Sequence, residues 1–434
     1  MRVKNWSILY TLGYGIVAIG ERVFYKKVQV VGLENIPKDK PIIFASNHQN
    51  AFMDPVLIAV HLTKPTYYLV RADVFKKPLV AKIFDSINMM PVYRERDGVN
   101  TKEANIGVFN RCYDILKENR PIIIFPEGNH GRLKTLRPLK KGFARIAAGA
   151  EEKHGKEIDV QIVPVGLNYS DHYNMGAELL INFKEPIRTN DYLTELENPV
   201  QINALKGKLH QEMSDAIIDI QSKEYYHTIH EMMMMFEQEL ASPEASLHDK
   251  FLKQKAFIAK AEDYLAKHPD ELLEKEMIAF KEQVYNNGLR YWLFASAKHK
   301  TLFSVVGLIL FAPIHLYGVI NNYLPYRIPA WFAETKMKDP QFQSSMKMAM
   351  GVVLFFLFWL LQSLVVSIFT EGLVWYYLLS LPLSAWLSYH YWVRWLKTRG
   401  QLRYKKMVKS QSSKLLKMKK SYNKFKQLFI AINQ

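Results

Sequence analysis

At 434 residues the chain has room for one ample α/β core plus additional elements. A hydrophobic share of 49% with a net charge of +17 suits an anionic lipid surface or a polyphosphate. It argues against nucleic acid, because the positive charge is piled at one end instead of interleaved with stacking aromatics. The lone cysteine, Cys112, excludes an internal disulfide and fits a reducing compartment.

The first apolar stretch, 6–20, is flanked by Arg2 and Lys4 before it and by Arg22, Lys26 and Lys27 after it. It has no small-residue cleavage site, and at roughly 15 residues it is short for a span. Residues 1–27 therefore read as a membrane-associated helix lying in the interface, with a buried first helix of a soluble core as the alternative. Residues 28–198 alternate strand-like runs, at 41–45, 66–70, 88–93, 121–125, 161–167 and 179–183, with amphipathic stretches such as 101–119. This pattern predicts an α/β domain with a mixed, largely parallel sheet flanked by helices. Ligands of such sheets collect beyond the carboxyl ends of the strands, where His48, Arg94 and Glu127 fall.

The segment Phe44-Ala45-Ser46-Asn47-His48-Gln49-Asn50-Ala51-Phe52-Met53-Asp54 places a histidine after a buried strand and an aspartate where a helix can start. Histidine titrates near neutrality and can take a hydroxyl proton, while a carboxylate on its other ring nitrogen fixes the tautomer. The nucleophile elbow G-x-S-x-G is absent, so the base is expected to activate a substrate hydroxyl. A second constellation, Phe125-Pro126-Glu127-Gly128-Asn129-His130-Gly131-Arg132, combines a carboxylate, two glycines and an arginine in one turn suited to a polar head group. In Pro91-Val92-Tyr93-Arg94-Glu95-Arg96-Asp97, Arg94 can fork onto a phosphate, while Arg96 reads as part of a solvated loop. Lys140-Lys141-Gly142-Phe143 opens a helix whose N-terminus suits a phosphate. His227, His230 and Glu231 sit one helical turn apart without a third ligand group or H-E-x-x-H, so no metal is expected.

Residues 199–297 change character to long amphipathic helices, an accessory region covering the core. Within 298–396, the segments 302–320, 348–369 and 373–396 are each long enough to cross a bilayer, and the last two are joined by only Thr370-Glu371-Gly372. No acidic residue follows Glu371, and the lysine-rich residues 397–434 read as a basic cytoplasmic tail drawn to anionic lipid. A cytoplasmic catalytic half and a cytoplasmic tail require an even number of crossings. The expectation is a two-span hairpin at 348–396, with 302–320 re-entrant or interfacial.

In their order these motifs resemble the PlsC-like glycerolipid acyltransferases, the match covering about the first half of the chain. Asn47-His48 with Asp54 is similar to the family's first motif, Pro91 to Arg94 to its arginine motif, 125–132 to F-P-E-G-T-R-S, and Val163-Pro164-Val165-Gly166 to its V-P-V strand end. Two departures stand out. Five residues separate His48 from Asp54 where most members have four, a spacing similar to that of fungal-type glycerol-3-phosphate acyltransferases. Asn129 and His130 replace the usual threonine and arginine, which leaves Arg132, Arg94 or Lys140 to carry the phosphate contact.

The resemblance implies acyl transfer from a thioester, acyl-CoA or acyl carrier protein as co-substrate with no other cofactor, to glycerol 3-phosphate or lysophosphatidate. His48 and Asp54 would be catalytic, and Arg94, Glu127, Gly128, Arg132 and Lys140 would bind substrate. Competing expectations are a membrane-anchored lipid-binding scaffold that keeps the fold without the chemistry, and a metal-dependent hydrolase.

Overall fold

The β-branched runs condense into one sheet. In a computed structural model describing residues 7–93, 100–195, 198–295, 301–337, 339–370 and 372–434, the strands are β1 (Tyr25–Val31), β2 (Ile42–Ser46), β3 (Tyr67–Arg71), β4 (Met89–Val92), β5 (Ile122–Ile124), β6 (Gln161–Tyr169), β7 (Ala177–Phe183) and β8 (Ile187–Arg188). Their order is β1-β7-β6-β2-β5-β3-β4, with β8 beside β6. Neighbours run parallel except where β6 meets β7 and β8, which gives the mixed, largely parallel sheet that the alternating runs imply.

Both faces of the central strands are covered, so they carry continuous apolar sequence. In β2, Ile43 and Ala45 enter one core, while Ile42 and Phe44 enter the other, as a period of two requires. Helices α4 (Thr101–Lys117), α5 (Gly142–His154) and α6 (Pro199–Ala216) contribute Cys112, Phe143 and Leu205 to the first core. Helices α1 (Ile8–Phe24) and α2 (Met53–Ala59) contribute Tyr10 and Leu57 to the second. The short α3 (Pro78–Ser86) packs beside it through Phe84.

Helix α1 combines the two readings of the N-terminal segment. Tyr10 and Phe24 are buried, and the Tyr10 hydroxyl accepts from the Thr66 N–H, 3.1 Å. Ile8, Leu9, Leu12, Ile19 and Val23 point outward. Strand β1 begins inside the segment read as helix; its parallel partner β7 lies far along the chain, so no local pattern announces the pairing.

Residues Met1–Asp219 and Phe332–Val352 form one compact unit, and Ile220–Trp331 with Val353–Gln434 form another. The second contains α7 (Tyr226–Met235), α8 (Glu237–Leu240), α9 (Leu247–Lys267), α10 (Leu273–Asn286), α11 (Trp292–Ala295), most of α12 (Thr301–Lys336) and α13 (Gln343–Phe369), α14 (Val374–Lys409) and α15 (Ser413–Asn433). Here Glu231 accepts from Lys281, 2.6 Å, and from the Tyr291 hydroxyl, 2.9 Å.

The C-terminal half is more helical than the sequence suggests. Segment 302–320, expected to be re-entrant or interfacial, lies in one unbroken helix with Pro313, Pro325 and Pro329 inside it. Thr301–Lys336 and Pro340–Phe369 are the described helices long and apolar enough to cross a membrane. Helix α14, which contains 374–396, is not among them; Trp375, Tyr376, Tyr377, Trp386, Tyr389 and Tyr391 dilute its aliphatic content with residues typical of membrane interfaces. The basic region 397–434 is largely helical. Helix α15 buries Leu415, Met418, Tyr422, Phe425, Phe429 and Ile432, spacings of three and four that lay its apolar stripe along Phe236, Phe257 and Phe280. Lys417 and Lys420 are exposed, while Lys424 pairs with Glu276 of α10.

Candidate active site

The carboxyl ends of β2, β3, β5 and β6 converge, and the candidate residues follow from them. Strand β2 delivers Asn47, whose buried amide makes two bonds to one residue of β6: Nδ2 donates to the Leu167 carbonyl, 3.1 Å, and Oδ1 accepts from the Leu167 N–H, 2.8 Å. His48 comes next. Its Nδ1–H donates to Asp54 Oδ2, 2.8 Å.

Asp54 is 0% exposed, and every contact it has suits a carboxylate. Oδ2 also accepts from the Gln49 and Asn50 N–H groups, each at 2.8 Å, and Oδ1 accepts from the Tyr169 hydroxyl, 2.7 Å. Its place in the first turn of α2 adds the favourable end of the helix dipole. The five intervening residues are absorbed in a turn where Ala51 takes φ +35°. Asn50 Nδ2 fixes that turn by donating to the His172 carbonyl, 2.9 Å.

The second constellation is tied to the first through Glu127. Its Oε2 accepts from the His48 N–H, 2.8 Å, and from the Arg137 guanidinium, 2.8 Å, while Oε1 accepts from the Arg137 N–H, 2.9 Å. Arg137 also reaches the side chain and carbonyl of Asn129, and Gly131 N–H donates to the His48 carbonyl, 3.0 Å. Glu127, expected to bind substrate, is 5% exposed and spends both oxygens on protein donors. It acts here as a clamp that holds the backbone of His48.

A cavity of about 730 Å³ opens beside His48. Phe52, Leu69, Val74 and Met89 make an apolar wall, and Arg71, Arg132, Lys140 and the backbone of Gly128 bring polar groups to it. Gly128 has φ +78°, and a side chain there would meet Lys140. The structure thus brings His48, Gly128, Arg132 and Lys140 to one cavity, with Asp54 behind His48. Glu127 stays outside the lining. Arg94 lies outside the described residues.

His130, in the position where the resemblance leads one to expect arginine, also lines the cavity. Its ring stands edge-on to His48 with centroids 4.3 Å apart, and the face of His48 stacks on Phe125 at 4.0 Å. Burial first, then the neighbouring His48, pulls the His130 pKa down from 6.5 to about 4, so the ring is neutral near pH 7. Its buried Nδ1 has no hydrogen-bond partner among the described residues.

Three residues in or beside the candidate site escape motif reasoning. Arg137 stands five positions beyond Arg132, outside the recognisable turn, although an arginine that close to a buried glutamate is a signal worth testing. Tyr169 ends β6, and its period-two inward position was the available hint. Arg71 ends β3 as His48 follows β2, and it pairs with Asp73.

A family model described as Acyltransferase matches residues 27–168. Over 145 residues the chain is 28% identical to the chloroplastic 1-acyl-sn-glycerol-3-phosphate acyltransferase LPAT1 of Arabidopsis thaliana, covering 33% of this chain and 36% of that one. Over 278 residues it is 25% identical to glycerol-3-phosphate O-acyltransferase 1 of Saccharomyces cerevisiae, covering 44% and 36%. The chain thus spans little more than a third of the length of these curated relatives. The crystal structure of PlsC from Thermotoga maritima, a 1-acyl-sn-glycerophosphate acyltransferase, superposes with a TM-score of 0.34 at 20% identity, covering 46% of this chain and 78% of that one. Residues 27–168 of this chain thus match the Acyltransferase family model, and the curated relatives similar to this chain are glycerolipid acyltransferases.

Proposed function

We propose that the chain is a membrane-bound O-acyltransferase that moves a fatty acyl group from a thioester, acyl-CoA or acyl carrier protein, to the hydroxyl of glycerol 3-phosphate or lysophosphatidate. The observation that carries this reading is the His48–Asp54 pair, 2.8 Å apart, opening on a cavity with one apolar and one basic wall. With Nδ1 committed to Asp54, Nε2 is the nitrogen left for the acceptor. It takes the hydroxyl proton as the oxygen attacks the thioester carbonyl; the C–S bond then breaks and the thiolate receives that proton. Asp54 offsets the charge on the imidazolium. Arg132 and Lys140, which line the cavity, hold the acceptor phosphate in this reading, with Arg94 as a further candidate.

Both substrates occupy the site together, since no enzyme nucleophile is involved. The apolar wall at Phe52, Leu69, Val74 and Met89 suits the acyl chain. The long apolar helices and the outward stripe of α1 support attachment to a bilayer, and the basic C-terminal region supports a cytoplasmic catalytic side.

Purified protein given labelled acyl-CoA and each acceptor in turn should yield lysophosphatidate or phosphatidate. His48→Ala should lose at least about a hundredfold in turnover with an unchanged melting transition. Full turnover by that variant removes the reading.

A further inference from the structure

The second unit contains a cavity of its own, about 650 Å³, between α12 and α14. From α12 come Val305, Leu308, Ile309 and Ala312, at spacings that put them on one helix face, and they are wholly apolar. From α14 come Trp395, Arg399, Arg403 and Lys406, again on one face, so the cavity has an aliphatic wall facing a basic, aromatic one. The Arg399 guanidinium lies 5.2 Å from the Trp395 ring centroid, which pre-orders it over the opening. Among the described residues no carboxylate pairs with Arg399, Arg403 or Lys406, and no acidic residue follows Glu371 anywhere in the chain. The cavity shares no lining residue with the one at His48.

We propose that this cavity is a binding site for one anionic phospholipid, separate from the acyl-transfer site. Charge complementarity selects the occupant. Two arginines and a lysine within two turns offer forked donors and positive charge to a phosphodiester, and the adjoining aliphatic wall excludes a wholly water-soluble anion from exploiting the rest of the space. The volume falls in the usual range for a lipid or cofactor cavity. Because α12 is apolar enough to cross a membrane, its wall is where the acyl chains of a bilayer lipid would lie, with the phosphate at the arginines.

The test uses the full chain, purified in neutral detergent and titrated with phosphatidylglycerol or phosphatidylcholine, with bound lipid counted by native mass spectrometry. One phosphatidylglycerol per chain should bind saturably, and phosphatidylcholine should compete poorly. The double variant Arg399→Gln/Arg403→Gln should weaken binding about thirtyfold, from about 1 kcal/mol per arginine at a lipid surface and about 1.4 kcal/mol per decade. The double variant Lys417→Gln/Lys420→Gln, on the exposed side of α15, should leave it within twofold. The proposal is overturned if the two double variants weaken binding equally, if binding never saturates, or if inorganic phosphate displaces the lipid at comparable concentration. A variant with bulk on the apolar wall, Ala312→Trp, keeps the charges and should also lose the lipid; unchanged affinity in it counts against the cavity as the site.

Discussion

Replacing Glu127 by glutamine distinguishes a clamp from a substrate contact. The carboxylate faces three donors, the N–H groups of His48 and Arg137 and the Arg137 guanidinium, at 2.8–2.9 Å. A glutamine keeps one acceptor oxygen, and whichever way the amide is turned its NH2 confronts at least one N–H. A buried donor left unpaired costs about 1–3 kcal/mol. Loss of the ion pair with Arg137, whose side chain is 25% exposed, adds roughly 1 kcal/mol once solvent screening is allowed for. The sum, on the order of 3 kcal/mol, lowers the melting transition of a unit of this size by roughly 6–12 °C. Because the freed segment includes the backbone of His48, turnover should fall ten- to a hundredfold, the scale expected when a catalytic group drifts by about an ångström. The acceptor KM should stay within twofold. Steady-state kinetics with both substrates varied, beside differential scanning fluorimetry, read the two quantities. If Glu127→Gln instead raises the acceptor KM tenfold with kcat and melting unchanged, the carboxylate touches substrate and the clamp is refuted.

Tyr169→Phe removes one charge-assisted bond to Asp54 and is expected to lower kcat by about tenfold, with donor and acceptor KM unchanged; an unaltered kcat would mean the remaining three donors suffice. His130 contributes a pH dependence to stability. Its folded pKa of about 4 lies below the ordinary histidine value of 6.5, so the unfolded chain takes up the proton first and stability is lost as pH falls through that window. Allowing for solvent access, the loss is on the order of 1–2 kcal/mol, and His130→Gln should flatten the melting temperature between pH 6.5 and pH 4 relative to the parent. The same His48, Asp54, Asp339 and Arg71 charges surround the site in both proteins, so the difference isolates residue 130. Burial pushes the Cys112 thiol up to about 12; iodoacetamide at neutral pH should label it only in denaturant, and labelling of the native chain would contradict the packing of α4.

What the sequence made legible was local. His48 and Asp54 fall within one short window bridging a strand and a helix start, so residue type and spacing suffice to pair them. The strands of the central sheet are continuous β-branched runs, readable because both faces are buried. Arg137 and Tyr169 were not legible, because their partners are chosen by the convergence of separate strand ends, and no spacing rule links residue 137 to 127 or 169 to 54. Strand β1 was missed for a related reason: two lysines in Tyr25–Val31 face outward and hide a pairing with β7 that only the assembled sheet supplies. In α15 the opposite error arose, since counting lysines concealed the apolar stripe between them. Glu127 was recognisable as important, but its bonds to His48 and Arg137 were not, because a carboxylate in a turn says nothing about which donors the fold will turn toward it.

The two-pronged bond from Asn47 to Leu167 has a practical meaning for anyone recombining this chain with a relative. It stitches the segment that presents the histidine to the strand that ends in the tyrosine behind Asp54. A crossover placed between the two would give each half a suture partner cut for a different sheet. Chimeras that exchange 47–54 and 165–169 as one block should keep the imidazole seated, whereas those that split the pair should fold and yet leave it adrift.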